Sequence, residues 1–302
     1  MKMKSAWYDE MNWVEVEQAI KDAGGMVLIP VGCLEQWAHL PVGCDNFQAM
    51  GHAKRVVELA QEDKEIKQIV VLPILPMGCQ PYMADFPGTI SVRHSVMREY
   101  YKDIAESLIK QGVLKFIWMI GHSGNTPPLI DAGRELKDQY GALTVLDRCW
   151  ISAREYKGPR TAAEVARGGH ASGSVALPEL SEETLKRVLP QRKVWLAEGR
   201  PIYGWRGVDD FVEPRFDDSL GILTAKLKTS LNSQGQPMTV YMVGSFQEAT
   251  PYGGVGDPTN QNVEDGRRAL QAAARHTIAI IKAVSKIEVP LKSRPNKDVE
   301  EP

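Results

Sequence analysis

Several familiar marks are missing from this chain, and each absence removes a class of function. No apolar run approaches the ~20 residues that span a bilayer. The opening residues, Met1 to Glu10, lack the apolar stretch of a secretion signal, so a cytoplasmic location is expected. Charge of either sign is not in excess: 36 Lys+Arg face 38 Asp+Glu, a formal net charge of −2, which argues against a nucleic-acid partner. Cysteine is scarce. The four, Cys33, Cys44, Cys79 and Cys149, are widely spaced and form no C-x-x-C pair, so reduced thiols are expected rather than a disulfide framework or a zinc knuckle. With no internal repeat and no interior low-complexity linker, the 302 residues read as a single domain (1–302), with 1–10 and 290–302 peripheral or frayed. Histidine is also rare, at six residues, so each can be weighed in turn.

What is present is an alternation of short apolar runs with amphipathic stretches. Asn12 to Ala23 has helical periodicity, stopped by Gly24 and Gly25. The runs Met26–Pro30, Ile69–Leu75, Lys115–Ile120 and Ala142–Leu146 read as strands. Helices are expected from Asn46 to about Gln61, from Ser95 (a candidate cap) to Gln111, and from the Pro127-Pro128 pair onward. Strands alternating with helices predict an α/β fold, a layered sandwich with a mostly parallel central sheet covered on both faces. The second half is less regular. Ser181 to Val188 and Glu264 to about Ile287 read as helices and Thr239–Val243 as a strand. Residues 193–231 carry aromatics among charges without a clear period, and are expected to form a surface excursion or a subunit contact.

Chemistry-bearing residues gather where strands end, which is where α/β proteins place ligands. Between the first strand and the next helix lie Glu35, His39 and Asp45, among the breakers Gly32, Pro41 and Gly43. His122 follows the third strand in Gly121-His122-Ser123-Gly124-Asn125. Carboxylates with imidazole suit a hard or borderline divalent cation, whereas an ordinary loop with solvated charges is the plain alternative. His170 sits in a glycine- and serine-rich loop. For His52 a structural role is expected, and His94 and His276 have no functional partner in view.

Taken together, Gly32-x-x-Glu35-Gln36-x-x-His39-Leu40-Pro41-x-Gly43-x-Asp45, Phe86-Pro87-Gly88-Thr89-Ile90, Gly121-His122-x-Gly124-Asn125, His170-Ala171 and Gly256-Asp257-Pro258 resemble the creatininase (creatinine amidohydrolase) family in order and spacing. The resemblance covers roughly Met26 to Ala283. It implies a parallel-sheet sandwich, a divalent metal site, hydrolysis of a small molecule and commonly a hexamer, so a homo-oligomer is expected. Carried over residue by residue, Glu35, Asp45 and His122 match metal ligands, with Glu35 also placed in the catalytic centre, and His170 matches a proton-handling histidine. Trp37, His39, Tyr82 and Asn125 are candidate substrate contacts; packing for the aromatics and a turn tie for Asn125 are the competing readings.

Departures from the family pattern carry as much weight as the matches. Where the family usually has a histidine for a second metal, two beyond the loop glutamate, this chain has Trp37. The loop from Glu35 to Asp45 is one residue short. After His170 the family's acidic run is replaced by Ser172-Gly173-Ser174-Val175-Ala176, and a glutamate found in creatininase two beyond the strand-end histidine is Gly124. One Zn2+ or Mn2+ per subunit, rather than two, is therefore expected, unless His39 rescues the second position. Some members of the family resemble hydrolases of a diketo-inositol (3-dehydro-scyllo-inosose). The resemblance thus implies C–C hydrolysis of a cyclic diketone to a keto sugar acid, in inositol catabolism, with cyclic amide hydrolysis as the alternative. A member that binds a ligand without catalysis is the reading from another class.

Overall fold

The computed structural model describes residues 5–148, 173–191, 211–217, 222–242 and 261–291. Its centre is a parallel sheet of three strands in the order β1 (Met26–Val31), β2 (Lys115–Ile120), β3 (Leu143–Arg148), with Met26 opposite Lys115 and Lys115 opposite Leu143. Every residue of β1 and β2 is buried, as strands covered on both faces require. The two-residue period of a strand then sorts the side chains into two cores. Val27, Ile29, Val31, Phe116, Trp118 and Ile120 pack with α1 (Trp13–Asp22), α3 (His94–Ile109) and α4 (Thr126–Tyr140). Met26, Leu28, Ile117 and Met119 pack with α2 (Cys44–Glu62) and α7 (Val263–Ser285). Helix, sheet and helix make the expected sandwich.

Local chemistry explains most boundaries. Asn12 caps α1, accepting from the Val14 and Glu15 amides while the Glu15 carboxylate accepts from the Asn12 amide, a reciprocal capping box. Ser181 caps α6 (Glu182–Val188) and Asn262 caps α7. The short α5 (Gly173–Ala176) precedes α6. Pro127 and Pro128 fall in the first turn of α4, where the missing amide hydrogen costs nothing.

Four expectations are corrected. Ser95 does not cap α3: the helix begins one residue earlier at His94, and Arg93 stands at the cap without a side-chain bond. The helix expected from Asn46 begins at Cys44, which moves Asp45 out of the loop and into the first turn of α2. The run Ile69–Leu75 pairs with β1 through isolated parallel bridges, Leu28 with Val71 and Val31 with Leu75. Pro73 has no amide hydrogen to continue a ladder there. Finally, part of the stretch 193–231 is regular: β4 (Phe211–Asp217) and β5 (Ile222–Leu231) form an antiparallel sheet with β6 (Pro237–Met242), the strand expected at Thr239–Val243, in the order β4-β5-β6. The register shifts between Val212 and Arg215, around Pro214, as a bulge does. No helix among the described residues is long and apolar enough to cross a membrane.

Candidate metal centre

The extended chain continues beyond β1, and its alternation puts Val31, Cys33 and Glu35 on one side. Leu34, pointing the other way, bridges Ile90. Thus Cys33 and Glu35 both reach the space beyond the carboxyl ends of β1 and β2. From β2, Gly121 and His122 arrive at the same place. Gly121 is obligatory there: a Cβ on it would lie 2.4 Å from the Asp45 carbonyl oxygen, because the first turn of α2 rests against the strand end. That turn delivers Asp45, and the amide end of the helix favours its negative charge.

These elements bring Glu35, Asp45 and His122 together. His122 Nδ1 is 3.0 Å from Glu35 Oε2 and 3.3 Å from Asp45 Oδ2, and all three residues are buried. A fourth group, which no sequence motif marks, joins them. Cys33 Sγ donates to Asp45 Oδ2 at 2.9 Å and lies 3.9 Å from Glu35 Oε2. One ligand-type atom from each of the four lies within 4.8 Å of every other.

Surrounding groups hold the ligands in place. Gln48, one turn along α2, donates to Asp45 Oδ1 at 2.7 Å and also to the Gly121 carbonyl. Trp37 Nε1 donates to Asp45 Oδ2 at 3.3 Å. Tyr82 Oη is 3.4 Å from His122 Nε2, the ring nitrogen that faces away from the carboxylates. Asn125 is fully buried and frames the site: its amide nitrogen donates to the Gly32 carbonyl at 2.9 Å, and its oxygen accepts from the Cys79 amide at 3.1 Å. Both ends of that side chain are thereby committed to backbone rather than turned toward a ligand. His39 is buried but is not one of the four clustered groups. His170 lies outside the described residues, as do Gly256, Asp257 and Pro258.

Electrostatics favour a cation here. Two carboxylates whose oxygens sit within 4.8 Å repel by at least about 3.5 kcal/mol at an effective dielectric constant near 20. Their field reaches both neighbouring thiols. Burial and then the charges of Asp45 and Glu35 push Cys33 and Cys44 well above the usual thiol range. The spacing is also suitable. Donors about 2.0–2.3 Å from a tetrahedral ion lie roughly 3.3–3.8 Å apart, close to the separations between these atoms. The residues present therefore fit a divalent ion.

Comparison with known proteins gives the family directly. The sequence model of the creatininase family, described as creatinine amidohydrolase, matches residues 9–174, more than half of the chain. The chain belongs to the creatininase family. Creatinine amidohydrolase of Pseudomonas putida is 27% identical over 144 residues, 44% of this chain and 53% of the relative, so the match spans about half the length of that protein. Among solved structures of the family, a manganese creatininase superposes with a TM-score of 0.64 at 19% identity, over 94% of this chain and 100% of the other. A creatininase mutant of zinc–zinc type gives 0.63, also at 19% identity and with the same coverage. At such identity these two establish the shared fold.

Against the family pattern, two departures have a structural consequence. The Trp37 indole N–H can donate but cannot bind a metal, and it is directed at the Asp45 oxygen. At Gly124, a Cβ would stand 1.9 Å from the Cys79 carbonyl oxygen and 2.6 Å from His122 Nε2. No glutamate fits at 124 without moving the backbone at Cys79.

Among the described residues, the buried His52 ties elements together. His52 Nε2 lies 2.7 Å from Thr277 Oγ1, whose hydroxyl also meets Asp147 Oδ2, and all three residues are buried. This chain of contacts ties α2 to α7 and β3, the structural role expected of His52. Burial pushes His52 below the usual imidazole range, partly offset by Asp147. His94 pairs with Asp131 at 3.6 Å on the surface.

Proposed function

We propose that the chain is a metal-dependent hydrolase that opens a small cyclic substrate, with one divalent cation held by Glu35, Asp45 and His122. The observation that carries this reading is the convergence of two carboxylates and an imidazole, buried together from three distant segments. Such a donor set with open positions suits a catalytic zinc or manganese. When bound, the ion supplies a Lewis acid that polarises a carbonyl and neutralises a developing oxyanion.

The chain's own residues set up that chemistry. His122 Nδ1 faces the carboxylates, so it is the nitrogen that would bind the ion, and Nε2–H would then donate to Tyr82 Oη. That outer contact fixes the ring tautomer, as second partners of metal-binding histidines do. Gln48 orients Asp45 from Oδ1 and Trp37 from Oδ2. With an indole where the family carries a second ligand and Gly124 locked against a side chain, one ion per chain is the stoichiometry supported. His170 is assigned the proton transfer to the departing group, the role its imidazole suits near neutral pH.

A single ion favours the easier leaving group. In a cyclic 1,3-diketone, water adds to one carbonyl and the bond to the carbon between the carbonyls breaks. Its electron pair is taken up as an enolate, which a proton converts to the ketone, leaving a keto acid. An amide nitrogen departs less readily and needs more proton assistance. We therefore rank C–C hydrolysis of a diketo-inositol such as 3-dehydro-scyllo-inosose first. Opening of a cyclic amide is second, favoured by the match to a creatinine amidohydrolase. A homo-oligomer, by family resemblance a hexamer, and a place in inositol catabolism belong to the same proposal.

Metal-loaded protein incubated separately with the diketo-inositol and with creatinine tests the ranking. Turnover of the diketone, lost in His122→Ala, is the expected result. Turnover of creatinine alone reverses the ranking, and turnover of neither by fully loaded protein favours a binding member of the family.

A further inference from the structure

We infer that Cys33 supplies a fourth protein donor, a thiolate, to the cation held by Glu35, Asp45 and His122, and so tunes the centre toward zinc and away from manganese. The inference rests on the metal-binding reading above and specifies its donor set. Its basis is geometric. Cys33 shares a side of the extended chain with Glu35, two residues on, and its Sγ is directed at Asp45 Oδ2, at 2.9 Å, rather than into the apolar core. Its position is tightly fixed: a Cβ on Gly78 would lie 2.7 Å from the Cys33 Cβ. Cys44 and Cys79 are equally reduced and buried, yet Cys33 is the cysteine that joins the four-group cluster.

Donor chemistry gives the consequence. Two carboxylates and an imidazole accept manganese or zinc, whereas a soft sulfur donor selects zinc. Binding exchanges the thiol proton for the metal: the S–H bond breaks, a metal–sulfur bond forms, and one proton passes to solvent. Zinc can take five ligands, so a centre held by Cys33, Glu35, Asp45 and His122 would still have room for a substrate oxygen.

Cobalt(II) reports thiolate ligation directly, independent of turnover. The apo form of the full-length protein is titrated with Co2+ while near-ultraviolet absorption is recorded, then challenged with Zn2+ and Mn2+. One cobalt with a thiolate-to-metal charge-transfer band is expected. Cys33→Ser should bind cobalt without that band and lose about 10–100-fold of the preference for zinc over manganese, a loss on the scale of a displaced ligand partner. Cys44→Ala should keep the band. One cobalt bound through His122 but with no charge-transfer band overturns the role of Cys33 and leaves the three-ligand site standing. A band that survives in Cys33→Ser also overturns it. Failure to bind cobalt at all removes the metal centre itself, and this inference with it.

Discussion

Helix α2 carries two buried polar clusters on one face, two turns apart, and they behave differently. At its first turn Asp45 meets Glu35, His122 and Cys33. Seven residues along, His52 meets Thr277 and, through it, Asp147. Each cluster contains a histidine and an aspartate out of water. In the second, the Thr277 hydroxyl bridges the His52 imidazole and one carboxylate, and burial holds His52 below the usual imidazole range. In the first, two carboxylates compete for one imidazole, and burial together with their charge raises the neighbouring Cys33 and Cys44 thiols well above the usual range. A buried histidine alone thus says little. Two carboxylates facing one imidazole beyond the ends of parallel strands are what separate a binding centre from a packing tie.

The largest effect expected from this contrast comes from exchanging the two histidines for alanine. His122→Ala should lose the bound metal, more than the 10–100-fold in affinity that an outer partner is worth, with little loss of fold stability. His52→Ala should keep the metal but destabilise the protein by about 2–4 kcal/mol, from the cavity and the unpaired Thr277 and Asp147 groups. Metal analysis beside denaturant unfolding reads both; matching losses in the two variants would erase the distinction.

Next in size is Tyr82→Phe, which removes the hydroxyl on His122 Nε2 and leaves the ring. A loss of about tenfold in metal affinity is expected, by competition with a chelator.

A smaller effect depends on pH. The folded pKa of His52 lies below its unfolded value, so between the two the unfolded chain binds more protons. The stabilisation from neutral His52 is complete above the unfolded value of about 6.5 and is lost as pH falls through the folded value. Unfolding free energy measured from pH 7 to 5 should therefore decline, and the His52→Gln variant should show a shallower slope.

The smallest change tests the shortened loop. Ala38, next to Trp37, has φ 51°, in the left-handed region that costs a residue with a side chain about 1–2 kcal/mol. Glycine relieves this but adds unfolded-state freedom, so Ala38→Gly should stabilise by roughly 0.5 kcal/mol in thermal unfolding, with metal content unchanged.

Much of the framework was legible because burial on both faces leaves a strong signature. Met26–Val31 and Lys115–Ile120 are continuous apolar runs, and Glu35, Asp45 and His122 follow strand ends or open the next helix. In the antiparallel sheet β6 was expected at Thr239–Val243, but β4 and β5 left no clear pattern, for a physical reason. Strands carrying polar residues, such as Lys226 and Lys228 in β5, and interrupted by Pro214 in β4 give no such run. Cys33 belongs to no cysteine pairing motif, and strand parity alone links it to the site. Its two-residue spacing from Glu35, just beyond a strand, was the available signal. The close packing of Gly124 against Cys79 joins segments 45 residues apart and had no local trace.

The central claim, one cation at the end of the parallel sheet, is tested most directly by counting metal per chain in purified protein and in His122→Ala. About one zinc or manganese per chain, absent from the variant, is expected. Two per chain, or metal retained when the imidazole at 122 is gone, would contradict the account.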